Sequence, residues 1–459
     1  MSKSMVNDLT KGDVSKQLLV FAFPLFLSNA LQAIYNIVDM IIVGQYIGGT
    51  GMSAVSIGGD ILHLLTFVAM GFSSAGQVLI AKDVGAKRFD EVKYTIGTMF
   101  TFLFMASIFI SVACFVIREP ILKWLNTPPE SYKYTLDYMV TCIIGLVFIY
   151  GYNIVSAILR GMGDSRRPFT FIAIAAVLNL VLDVVFVIYF KMEVFGAALA
   201  TVIGQGTSFV VSLIYLYRNK EGFFFDFKIS SFKMEKNALN KILSLGVPMA
   251  IQSAAVSFSK VVLMSWINMF GVVYSALAGV FNKINTMSAV VSNSFTAAGS
   301  AMVGQNLGAK KDERIPLILK TVGLCGTIIS TVFSLIILVF PDMVFSAFTS
   351  DAQVLSVASV LIVPIILNLY GSATRSVGFS IINGSGNTKL NLAVAIIDGM
   401  ISRIGLAAIL GFVLKLDCFG FWMGDSLAGF MPIVISMCFY FSGKWRTNKI
   451  EQDGKINEK

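Results

Sequence analysis

The segment "FSSAGQVLIAKDVGAKR", Phe72 to Arg88, returns as "FTAAGSAMVGQNLGAKK", Phe295 to Lys311, 223 residues further along the chain. One such echo is easily a coincidence. At the same offset, however, "LRGMGDSRRPF" (Leu159 to Phe169) pairs with "INGSGNTKLNL" (Ile382 to Leu392). Within one residue of it, "VFGAALAT" around Gly196 pairs with "CFGFWMGD" around Gly420, and Pro24 pairs with Pro248. Several correspondences in register over half the chain mark a sequence built from two copies of one unit.

Composition says what that unit is. Of 459 residues, 56% are hydrophobic and only 13% charged, with a mean hydropathy of +0.79, too apolar for a soluble globular chain. Apolar stretches long enough to cross a hydrocarbon core of roughly 30 Å as helices recur twelve times. They lie at about 18–43, 54–80, 94–117, 134–159, 168–189, 195–217, 242–269, 273–303, 317–340, 353–383, 390–414 and 419–442. Six per copy is an even number, so both copies enter the membrane from the same side. The repeat is therefore parallel, with its axis along the membrane normal, and such folds place the substrate path where the halves meet. The expectation is an all-α polytopic membrane protein with twelve transmembrane helices in two six-helix lobes, 1–217 and 242–445. A basic linker at 218–241 and a tail at 446–459 read as cytoplasmic.

The formal charge of +9 does not indicate a nucleic-acid partner once the loops are sorted by side. With the N-terminus inside, the even-numbered connections and both tails hold about 26 of the 35 Lys and Arg; the opposite loops hold about five, Arg118, Lys123, Lys133, Lys191 and Lys415. That asymmetry is the positive-inside signature and puts both termini in the cytoplasm. The opening "MSKSMVNDLTKGDVSKQ" mixes acids with bases ahead of a span too long for a signal peptide, so the first span is expected to stay. All five cysteines fall inside spans without CxxC spacing, which argues against a disulfide framework or a zinc site.

Against this background the informative residues are the polar ones inside spans, because an ionised aspartate at a helix centre costs roughly 2.5 to 3.5 kcal/mol on insertion scales. In the first span Asn29, Gln32, Asn36 and Asp39 follow at steps of three, four and three and share a helix face. In the fifth, Asn179 and Asp183 stand at i and i+4; in the sixth, Thr201, Gln205, Ser208 and Ser212 form another stripe. Oxygen donors of this kind suit a proton or a hard monovalent cation, and two buried carboxylates resist being ionised together. Ion binding and protonation thus become alternatives at one site, which is the requirement of an antiporter. The second copy does not repeat the cluster: Leu263, Ser402 and Leu406 stand where Asp39, Asn179 and Asp183 would fall. It places Lys260, Lys283, Arg375 and Arg403 within spans instead, beside Asp398 and Asp425, as bundle ion pairs, snorkelling side chains or substrate contacts. No nucleophile–base pair, phosphate loop or metal-ligand motif points to an enzyme or to a bound cofactor.

The stretch "LTKGDVSKQLLVFAFPLFLSNALQAIYNIVDMIIVGQYIG", with its Asp39-x-x-x-Val43-Gly44, resembles the opening of the multidrug and toxic compound extrusion (MATE) transporters. "GAKR" after the second span, "RGMGDSRRP" after the fourth and "NLVLD" in the fifth are similar too, and the likeness covers nearly the whole chain. It implies a V-shaped MATE fold and export of cationic or amphipathic small molecules by exchange for H+ or Na+, in a prokaryotic cell membrane, by a monomer whose other partners are lipids. The branch that looks most similar, named for DNA-damage-inducible protein F, carries a cation site whose positions here are Asp39, Asn179, Asp183 and Thr201. The NorM branch uses acids of the C-terminal lobe, where this chain has Ser257 and Lys260. Along the substrate path the expected residues are Gln32, Asn36, Gln205, Lys260, Asn282 and Arg375. The alternatives are a lipid-linked oligosaccharide flippase of the same superfamily, which the second-lobe cations would suit, and a non-transporting membrane receptor or scaffold.

Overall fold

The computed structural model describes residues 6–125, 127–349 and 351–446, and among these there is no β-strand. Contacts divide the chain into two compact units. Among the described residues, one joins 6–8 to Phe23–Gly246; the other joins Leu9–Ala22 to the described part of 247–446.

In the first unit the helices are α1 (Val14–Ile47, whose first nine residues belong to the other unit), α2 (Gly49–Gly85), α3 (Phe89–Val116), the short α4 (Arg118–Trp124), α5 (Pro129–Ile144), α6 (Leu146–Gly161), α7 (Arg166–Asp183) and α8 (Glu193–Arg218). The second unit contains α9 (Lys236–Asn268, beyond its first eleven residues), α10 (Val272–Gly308), α11 (Ile315–Val339), the short α12 (Pro341–Ser346) and α13 (Ala352–Val357), α14 (Ile362–Ser385), α15 (Thr388–Ile396), α16 (Arg403–Ala408), α17 (Asp417–Ala428) and α18 (Met431–Phe441). Among the described residues ten helical segments are long and apolar enough to cross a membrane, and α5 with α6, bent by 46° at Gly145, makes an eleventh. The remaining one of the twelve expected spans is α10. At 37 residues it is long enough, but Asn282, Lys283, Asn285, Ser288, Ser292 and Asn293 dilute its apolar character.

The repeat is visible in the backbone itself. Gly48 (φ 86°) turns α1 into α2, and Gly271 (φ 100°) turns α9 into α10. Residues that carry a Cβ and still take positive φ recur in the same way: Lys87 with Lys310, Lys191 with Lys415, and Glu193 with Asp417. Such conformations are uncommon outside glycine, so their recurrence at offsets of 223 and 224 residues reflects the same loops built twice. A π-helical turn follows Asp183 (Val184–Tyr189) and another lies at Ile409–Val413. Pro24 and Pro248 sit inside α1 and α9. Pro432 instead occupies the first turn of α18, where a missing N–H costs nothing.

Residues 218–241, which read as a plain connector, are packed on α3. Gly97 makes this possible: a Cβ there would stand 2.0 Å from the Ser231 carbonyl oxygen. Thr101 donates its hydroxyl to the Phe232 carbonyl, the Glu235 amide donates to Thr98 Oγ1 at 3.1 Å, and Lys241 reaches Glu91 at 3.0 Å. Phe225 is buried among Phe100, Phe227 and Phe232. Asp226 closes the loop by accepting from the Ser231 hydroxyl and from the Lys93 ammonium at 3.2 Å. The Ser231 hydrogen bond first, then the Lys228 amide and Lys93, push its carboxyl down to about 2.

Because the folded form prefers the ionised carboxylate, this contribution is fully present above the ordinary carboxylate range and fades only as pH falls through about 2. Asp226→Asn should therefore speed limited proteolysis within 218–235 at neutral pH, with a smaller difference from the parent chain in strong acid.

Candidate functional site

Three helices of the first unit deliver the polar residues singled out in the sequence. Asp39 of α1, with Asn179 and Asp183 of α7, is 5% or less exposed. Gly204 is what lets α8 approach α7: its Cα faces Asn179, and a Cβ there would lie 3.2 Å from Asn179 Cβ and 3.2 Å from the Ala175 carbonyl oxygen. That approach brings Thr201 and Gln205 beside Asn179 around a small cavity also lined by Tyr35, Ile172, Ala175 and Gly204. Gln205 Nε2 donates to the Tyr35 hydroxyl at 3.1 Å. Asp183 ends α7 where the π-helical turn begins; such turns loosen the regular ladder and are frequent at functional sites.

Asp39 and Asp183 lie within each other's electrostatic field, and Tyr138 of α5 lies in the field of both. Tyr138 packs in a buried apolar cluster that also includes Ile42, Val43, Cys142, Val187 and Ala197. Among the described residues, Asp39 Oδ1, both Asp183 carboxylate oxygens, and Asn179 Oδ1 and Nδ2 are buried without a hydrogen-bond partner. A single buried polar group left this way costs about 1–3 kcal/mol, more if charged. Five in one place, from two helices, is the pattern of a site whose partner comes from solution. The donors are carboxylate, amide and hydroxyl oxygens, which fit a proton or an alkali cation. No group of three His, Cys, Asp or Glu that could hold a metal ion is found among the described residues.

The other candidates separate. Asn36 is exposed and Gln32 half-buried on α1, and Gln205 is half-buried at the cavity. On α10, Lys283 is exposed and Asn282 half-buried. In the second unit the charges form a buried network: Arg375 pairs with Asp398 at 2.8 Å, and Arg403 lies between Asp398, at 3.5 Å, and Asp425. Tyr35 and Tyr138 were not legible as site residues. Tyr35 stands one turn before Asp39 and could have been found on that face; Tyr138 reaches the site only through the packing of α5.

A repeated helical bundle with orphaned acids sequestered in one unit defines a membrane transporter. The comparisons with known proteins agree. The family model described as MatE matches residues 24–185 and again 248–409, once in each copy. The probable multidrug resistance protein YoeA of Bacillus subtilis is 28% identical over 96% of both chains, and the probable multidrug resistance protein YpnP of the same organism is 32% identical over 67% of this chain and 68% of its own. A crystal structure of MATE in complex with MaL6 superposes with a TM-score of 0.87 at 20% identity, covering 98% of this chain and all of that one. The chain belongs to the MatE family and is a MATE-type efflux transporter.

Since an unpaired buried carboxylate destabilises the fold, Asp183→Asn should raise the thermal midpoint of the purified protein in sodium-free alkaline buffer, by the equivalent of about 1–3 kcal/mol. Adding sodium or lowering the pH should stabilise the parent chain and leave the variant nearly unchanged, as read by differential scanning fluorimetry.

Proposed function

We propose that the protein exports cationic or amphipathic small molecules in exchange for H+ or Na+, with Asp39, Asn179, Asp183 and Thr201 as the coupling site. The observation that carries this reading is the set of orphaned oxygens: the acids are kept out of lipid and left without a protein partner. Occupation of the site by a proton or cation from outside relieves their repulsion and favours the state that releases cargo outward. Emptying toward the cytoplasm favours the return, so the ion gradient biases an equilibrium between two states. A ligand shifts such an equilibrium only by its differential affinity for the two states, and a site built from ionisable acids responds directly to both pH and cations. Pro24 and Pro248, interior to α1 and α9, each remove a backbone hydrogen bond and supply points for bending. The setting is the cell membrane of a prokaryote with both termini in the cytoplasm, as the basic-residue asymmetry supports.

The flippase alternative needs a strongly cationic cavity for phosphate. Arg375 and Arg403 each carry an ion pair, leaving Lys260 as the one cation of this network without one among the described residues, fewer unpaired cations than such a cavity needs, which favours the efflux reading.

In everted vesicles, Asp39→Asn should lower ion-driven uptake of a cationic dye at least tenfold with protein abundance unchanged; undiminished uptake removes Asp39 from the coupling site. Dye uptake driven by an imposed sodium gradient at fixed pH, against uptake driven by a pH gradient without sodium, identifies the coupling ion.

A further inference from the structure

The charged network of the second unit is ordered by depth. Its two acids, Asp398 and Asp425, are 0% and 3% exposed, and Arg403 between them is 4% exposed. The members that keep accessible surface are both cations: Lys260 is half-buried and the Arg375 side chain is 18% exposed. The more accessible side of the network is therefore its cationic side. The local balance is also uneven, with Lys260, Arg375 and Arg403 against two carboxylates.

Each acid is paired with an arginine and not with Lys260. Asp398 gives one oxygen to Arg375 and the other to Arg403, and Asp425 is taken by Arg403. Asp398 and Arg403 stand five residues apart across a π-helical turn, Ile397–Ser402, whose i to i+5 hydrogen bonding stacks residue i+5 over residue i. Lys260 is fixed next to this arrangement by its neighbour: the Ser259 hydroxyl donates to the Gly399 carbonyl, and Gly399 is packed so closely on α9 that a Cβ would lie 2.7 Å from Ala255 Cβ. Its electrostatic neighbours are Asp425, Arg403 and Arg375, so it faces the network rather than snorkelling away from it. Lys260 nevertheless has no hydrogen bond or ion pair among the described residues. Arg375, held by Asp398 and stacked over Phe379 at 5.2 Å, keeps donors of its five-donor fork to spare.

We propose that Lys260 and Arg375 form a binding site, inside the C-terminal unit, for an oxyanion: a carboxylate or phosphate group. An ammonium beside a pre-oriented guanidinium is the pairing that recognises such groups through charge-assisted hydrogen bonds. Its ligand balances the surplus positive charge, which a bilayer-embedded bundle holds at a cost. The inference rests on the transport reading only for the fate of the ligand, in that a cargo bound here carries an acidic group and the cargo range extends to zwitterions. The site itself rests on the geometry of one unit.

The test is binding, not transport, so its failure is separate from failure at Asp39. The purified full chain in nanodiscs of phosphatidylcholine is titrated with benzoate and with inorganic phosphate, with choline as the cationic control, and the thermal midpoint and calorimetric heat are followed. At least one anion should bind and raise the midpoint while choline acts independently of Lys260. Lys260→Gln should weaken that anion about tenfold, the value of one charge-assisted hydrogen bond, and Lys260→Arg should keep most of the affinity and report that the fold tolerates change there. Anion binding of equal strength in Lys260→Gln, or none in the parent chain, overturns the proposal. Repeating the titration with phosphatidylglycerol in the disc separates the sources: loss of the response identifies a lipid headgroup as occupant, and its persistence identifies a soluble ligand, both through the same oxyanion site.

Discussion

A charge inside a hydrocarbon-embedded bundle must be paired, neutralised or supplied with a partner from outside, and the two units of this protein meet that constraint in different ways. The second unit pairs its buried acids: Asp398 and Asp425 are held by Arg375 and Arg403. The first leaves Asp39 Oδ1, both oxygens of Asp183 and the Asn179 amide without partners. Paired acids are poor candidates for exchange, because removing one partner strands the other at a cost of several kcal/mol. Orphaned acids stay open to a proton or cation, which is the property that the proposed coupling uses.

Close backbone approach is the means in both units. Gly204 brings Thr201 and Gln205 to Asn179 in the first, while Gly399 and Gly424, each adjacent to an aspartate of the network, sit where a Cβ would strike Ala255 or the Ala407 backbone. Small residues at helix crossings do the work that a hydrophobic driving force cannot do in lipid. The π-helical turns add a change of phase, ending α7 at Asp183 and aligning Asp398 with Arg403. The same fold, duplicated, therefore carries an acid site in one copy and a cation-rimmed network in the other, because the scaffold positions are shared and the side chains on them are not.

Much of this was legible beforehand, for identifiable reasons. Helices in lipid are written in long apolar runs, so all twelve spans could be placed from apolarity; α10, diluted by its polar residues, carries the weakest signal of them. The stripes holding Asp39, Asn179, Asp183 and Thr201 could be read from helical periodicity, since residues three or four apart share a face. Asn36 belongs to the same stripe and is exposed, because a stripe some hundred degrees wide can straddle a boundary between packed and open surface. The segment 218–241 looked like a connector by composition, yet its phenylalanines and Asp226 dock on α3 through Gly97, a pairing of residues more than a hundred positions apart.

The sequence by itself determined the class of protein, the number of membrane crossings, the duplication and which residues carry charge within spans, because hydropathy, periodicity and self-similarity are local or one-dimensional signals. Only the tertiary structure decided which charges are satisfied. That Asp398 is shared by two arginines, that Asp183 is shared by none, and that Tyr138 looks onto the acid pair all depend on distances between helices remote in the chain, which packing sets and no local pattern encodes.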